Sequence, residues 1–168
     1  PGLLIVIEQE RLTQEGCEAV RQYIAAGGRA LLALDNLTTS PAPSQSLLAA
    51  LGMHSEGPRY SEKSESRFAL VSWADFDHPI FFPLRGPQFN DFSSVRFYNH
   101  QRVSVLKAAA KPDADENPRM LARFEPDAGD RAWPAMLEAR LGAGRAAVWA
   151  FGLDLQWSNF PRSVKFIP

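Results

Sequence analysis

The residues best placed for chemistry stand where apolar runs break into polar ones. "RALLAL" (Arg29 to Leu34) gives way to Asp35 and Asn36, "LLIVI" (Leu3 to Ile7) to Glu8, and "RAAVWAF" (Arg145 to Phe151) to Gly152, Asp154 and Trp157. In an open α/β sheet, nucleophiles and ligands sit beyond the carboxyl ends of the parallel strands. Two uses of these positions follow. Asp35 would serve as the nucleophile or base of a carboxylate-dependent hydrolase with His78 assisting, or Glu8, Asp35, Asn36, Asp154 and Trp157 would line a ligand pocket.

Other motifs carry less chemistry than their letters suggest. "GAGRAA" (Gly142 to Ala147) matches the dinucleotide fingerprint, but that fingerprint opens a helix onto a pyrophosphate, and here a strand pattern follows. It reads as a hairpin turn, and no cofactor is expected. Cys17 shares a helical face with Val20 and Ile24 and reads as a structural thiol. His54, His78 and His100 are widely spaced, and "DADEN" lacks the central glycine of a calcium loop, so no metal site is expected. "DFDHPIF" (Asp75 to Phe81) could set an imidazole beside carboxylates. The favoured reading is a turn fixed by Pro79 and anchored by Ile80 and Phe81.

The elements that would position these groups are legible from periodicity. "LLIVIE" is a short branched apolar run, as in a strand buried on both faces of a parallel sheet, and "RALLAL" is the next strand, reached by a parallel crossover. Between them Thr13 caps a helix carrying Cys17, Val20 and Ile24 and closed by Gly27-Gly28. A second, shorter helix runs through "SQSLLAALG" to Gly52. Thereafter "RFALVSW", "SVRFYNH", "RVSVLKAAA", "RMLARFE", "AWPAMLEARL" and "RAAVWAF" read as strands, the last two joined by "GAG". "SEGPRYSEKSES" and "KPDADENP" read as loops. The expected architecture is a single α/β domain over residues 1–168, parallel in its first third with antiparallel strands added.

With 168 residues, 45% hydrophobic and 22% charged, the chain is large enough to bury a core. Its 18 basic and 19 acidic side chains are interspersed and sum to −1, which excludes a basic nucleic-acid stripe. No apolar run approaches the roughly 20 residues of a membrane helix, so this piece does not insert into a bilayer. One cysteine allows no internal disulfide. The chain starts without methionine and stops directly after a patterned segment, as a fragment of a longer protein would.

The segments "LLIVIEQERLTQEGCEAVRQYIAAGGRALLAL", "SLLAALG", "DHPIFFPLRGPQFNDFSSVRFY" and "GAGRAAVWAFGLDLQWSNFP" together resemble the class I glutamine amidotransferase-like domain of bacterial membrane proteins with an aerotolerance-regulator N-terminal region. A looser similarity reaches trehalose-utilisation-like members of the same fold. The resemblance implies a flavodoxin-like three-layer sandwich held beside transmembrane helices in the cell envelope. Active amidotransferases carry a cysteine in a glycine-flanked elbow and a later "HPE". This chain has Asp35-Asn36 and "HPI" at those places, so no catalytic residue is carried over. The implied function is a non-catalytic binding or interaction module with a protein or small-molecule partner. The alternatives are the carboxylate hydrolase and, from the 11% aromatic content, a self-associating scaffold forming a homo-oligomer.

Overall fold

The computed structural model describes residues 2–7, 12–35, 43–60, 68–106, 118–126 and 131–163. The run Leu3–Val6 forms β1, and Thr13 caps α1 (Gln14–Ala25) by accepting the Gly16 N–H at 3.1 Å. Cys17, Val20 and Ile24 are its buried residues, as their spacing predicts. Strand β2 (Arg29–Ala33) follows, and Pro43 opens α2 (Pro43–Ala50), where a missing N–H costs nothing.

The remaining strands are β3 (Met53–Tyr60), β4 (Val71–Ala74), β5 (Asn99–Val105), β6 (Arg119–Phe124), β7 (Pro134–Leu141) and β8 (Gly144–Trp149). They make an open six-stranded sheet, β1-β2-β8-β7-β6-β4, and a separate antiparallel pair, β3-β5. The fold is mixed α/β and not a barrel. The last strand returns to the centre and lies parallel to β2, with Leu31 opposite Ala147. Parallel pairing is therefore not confined to the first third of the chain. β3 falls where the sequence reads partly as a loop. "SVRFYNH" and "RVSVLKAAA" contribute to one strand, β5, with Phe97 making isolated bridges to Ala69 and Ser158.

Strand alternation divides the large sheet into two unlike faces. One carries Ala30, Leu32 and Leu34, Ala146 and Val148, and Leu137 and Ala139, all buried. This is the face against α1. A Cβ added at Gly144 would stand 2.0 Å from the Ile24 carbonyl oxygen and 2.4 Å from that of Gly28. The Ala143 and Arg145 N–H groups donate to the Ala25 and Gly28 carbonyls, both at 3.1 Å. The glycines of "GAGRAA" thus let the β7–β8 turn press on the carboxyl end of a helix. That end is rich in carbonyls and repels the phosphate a dinucleotide site would hold.

On the other face Leu3 and Ile5 are 62% and 54% exposed, so β1 is not buried on both sides. A continuous apolar run fits one covered face as well as two. No second helical layer covers this side among the described residues.

Gly144→Ala is expected to lower stability by about 2 kcal/mol or more, because backbone atoms cannot step aside. Gly2→Ala, with nothing within 4 Å, is the control; urea unfolding measures both. On α1, the hydrogen bonds from Arg21 and then Gln22 hold the exposed Glu18 carboxyl down to about 2. Because the folded value is depressed, this contribution is whole above the ordinary carboxylate range and fades as pH falls through about 2. In Arg21→Ala the Glu18 carboxyl, followed by carbon NMR, is expected to titrate closer to 4.5.

Candidate functional site

The open face of the sheet is a grid whose rows follow from register. Leu3, Arg29, Arg145 and Arg140 face one another across β1, β2, β8 and β7. The next row is Ile5, Leu31, Ala147 and Glu138, with Arg119 of β6 opposite Glu138. The third row includes Ala33, Trp149 and Met136. Ala33 and Met136 are buried, and the Trp149 ring stacks on Phe151 at 5.4 Å and meets Phe160 edge-on at 5.7 Å. The face is therefore closed by aromatic packing beyond Trp149 and open toward Arg29 and Arg145.

That opening is a cleft of about 1080 Å³, with Arg29, Leu31, Ala147 and Trp149 on its floor and His78, Pro79 and Ile80 at its side. His78 reaches it through the turn of "DFDHPIF". Its carbonyl accepts the Phe81 and Phe82 N–H groups, and Phe81 is buried as expected of an anchor. Ile80, by contrast, is 41% exposed. The imidazole does meet a carboxylate, although not one from its own turn: Nε2 lies 3.6 Å from the Glu138 carboxylate of β7. Asp75 instead pairs with Arg119, and Asp77 with Arg85 at 3.4 Å. Glu138 also lies 3.4 Å from Arg145.

Of the residues expected to line a pocket beyond the parallel strands, three are described. Asp35 and Trp157 meet over Gly152, where an added Cβ would stand 3.1 Å from the Asp35 Cβ and from the Trp157 ring. Trp157 is buried, and its carbonyl accepts the Tyr98 N–H at 2.7 Å. Asp154 is exposed and organises its own turn, its carboxylate accepting the Gln156 N–H at 2.7 Å. Glu8 and Asn36 lie outside the described residues.

The hydrolase alternative requires Asp35 beside His78. Asp35 follows the carboxyl end of β2, whereas His78 pairs with Glu138 in the cleft with Arg29, at the amino end of the same strand. That alternative is accordingly dropped. Cys17 is buried in α1 and burial pushes its thiol above the ordinary value, which leaves it a poor nucleophile. Among the described residues, no group of three or more His, Cys, Asp or Glu is placed to hold a metal ion.

Sequence reasoning did not single out Glu138, Arg29, Arg140 or Arg145. The trace was present in "LEARL" (Leu137 to Leu141), where charged and apolar residues alternate with the period of a half-exposed strand. What it lacked was the partner register that stacks the arginines.

No family model matches the chain, and no curated protein matches it. Solved structures do. The β-galactosidase of Rahnella sp. R3 matches at 19% identity and TM-score 0.59, over 92% of this chain and 21% of that one. The GH42 β-galactosidase Gan42B of G. stearothermophilus matches at 15% and 0.60, over 92% and 19%. The cytoplasmic protein STM1381 of Salmonella typhimurium LT2 matches at 14% and 0.61, over 90% and 55%. The chain thus spans about a fifth of the galactosidases' length and about half of STM1381.

These neighbours overturn the amidotransferase-like resemblance, and the non-catalytic amidotransferase module it implied is withdrawn. Within the segments behind that resemblance, "DHPIF" and "GLD" form local turns around His78 and Asp154. Membrane association entered with that resemblance and loses its support with it. No helix of the described residues is long and apolar enough to cross a membrane. What the neighbours share with this chain, at these identities, is a fold.

Proposed function

We propose that this chain is an assembly domain, in which β1 of one copy pairs antiparallel with β1 of another. The observation that carries the reading is the outer edge of the sheet. β1 has no neighbour there among the described residues, and Leu3, Ile5 and Ile7 are 62%, 54% and 54% exposed. Edge strands are ordinarily blunted by charge, proline or a bulge. Residues 3–7 carry no charged residue and no proline.

A strand paired with itself about a twofold axis satisfies the open backbone groups of both copies at once. It also sets two apolar stripes side by side, where they shield each other from water. β1 is held ready for this, because the Tyr23 hydroxyl on α1 donates to the Gly2 carbonyl at 2.5 Å. On this reading the two sheets join edge to edge into one, with α1 and α2 of each copy on its own covered face.

Catalysis is not part of the proposal. Among the described residues lining the cleft, Glu138 is the one carboxylate and no serine, threonine or cysteine is present. Glycoside hydrolysis in its usual form requires two carboxylates flanking the bond.

Sedimentation equilibrium across a concentration series tests the reading. The wild-type chain is expected to self-associate. Ile5→Asp is expected to weaken association by at least about tenfold, since it would place a charge in the merged stripe. At concentrations low enough for both chains to be single copies its melting temperature should stay near wild type, because the side chain is exposed there. A wild-type chain that stays monomeric at about millimolar concentration, where even weak contacts form, or an Ile5→Asp variant that associates normally, overturns the proposal.

A further inference from the structure

We infer that the cleft on the open sheet face is an anion-binding site, taking a phosphate or carboxylate group carried on an apolar body. The inference does not depend on self-association.

Its basis is an arrangement of like charges that folding alone disfavours. Arg29, Arg145 and Arg140 occupy mutually opposite positions on the adjacent strands β2, β8 and β7. Strands lie about 4.8 Å apart, so three guanidinium groups rise from a strip of sheet roughly 10 Å wide. Like charges directly opposite on a sheet repel. Arg119, paired with Asp75, stands one row along on β6. Glu138 is the one acidic residue among the described lining residues, yet the whole chain has a net charge of −1.

The partners of these groups sharpen the picture. Glu138 lies between Arg145 at 3.4 Å and His78 at 3.6 Å, so one carboxylate serves two basic groups. Arg29 makes no ion pair with any described residue. The indole N–H of Trp149, on the same floor, is buried without an acceptor. An oxyanion lying over Arg29 and Arg145 would relieve the repulsion, since guanidinium groups match phosphate and carboxylate oxygens in pairs. Leu31, Ala147, Pro79 and Ile80 are the apolar surface on which the rest of such a molecule would lie.

The experiment titrates the nitrogen-labelled full chain with phenyl phosphate, benzoate and phenol at low salt, following the arginine Nε and tryptophan indole signals. Phenyl phosphate or benzoate is expected to move the Arg29, Arg145 and Trp149 signals, with phenol tenfold or more weaker. Which of the two anions binds tighter identifies the oxyanion. Arg29→Gln and Arg145→Gln should each weaken binding at least fivefold, while Arg162→Gln, on an exposed turn away from the cleft, should not. Both cleft arginines are exposed, so the variants should fold, and circular dichroism checks that they do. Equal binding of phenol, no binding at 10 mM of either anion, or equal weakening by Arg162→Gln overturns the inference.

Discussion

The contact between the β7–β8 turn and the end of α1 sets the terms for the rest of the molecule. Gly142 and Gly144 carry no side chain because the carbonyls of Ile24, Ala25 and Gly28 occupy that space. With the turn seated there, α1 can cover only the face that carries Ala30, Ala146 and Ala139. Small residues at the middle of that face let helix and sheet approach closely. The opposite face is then left to whatever residues its strands present, and they present arginine, leucine and glutamate in rows.

Local patterns were legible where one element determines them. The helix through Cys17, Val20 and Ile24, its Thr13 cap, the shorter helix through "SQSLLAALG" and the glycine hairpin all follow from spacing within a dozen residues. Pairing between neighbours in sequence, β1 with β2 and β7 with β8, follows from the same patterns, but pairing between distant segments does not. Nothing near Gly144 announces that β8 will lie between β2 and β7, and the arginine row exists only because it does. β3 was hidden for another reason. Its Gly57 and Pro58 look like turn residues, and they sit at an irregularity where the register with β5 shifts. The resemblance misleads for a different reason: within it, "DHPIF" and "GLD" are local turns that any fold could use.

The two ends of the sheet differ in the way they use polar groups. Beyond β2 and β8, Asp35 lies beside buried Trp157 and Gly152, next to rings that pack within about 6 Å of one another. Toward the amino ends of the same strands, charged groups stand over an apolar floor in a cleft that remains open. Cleft and aromatic seal meet at Trp149, whose ring belongs to the seal and whose indole N–H lacks a partner.

His78 shows how a turn can fix the state of a ring. The Ile80 N–H donates to Nδ1 at 3.3 Å, so that nitrogen must hold a lone pair, and the proton of the neutral imidazole resides on Nε2, the side toward Glu138. The peptide after Pro79 thus selects one tautomer. The nitrogen that could have accepted a hydrogen bond is spent on the wall's own backbone, and the ring faces Glu138 with its N–H side only.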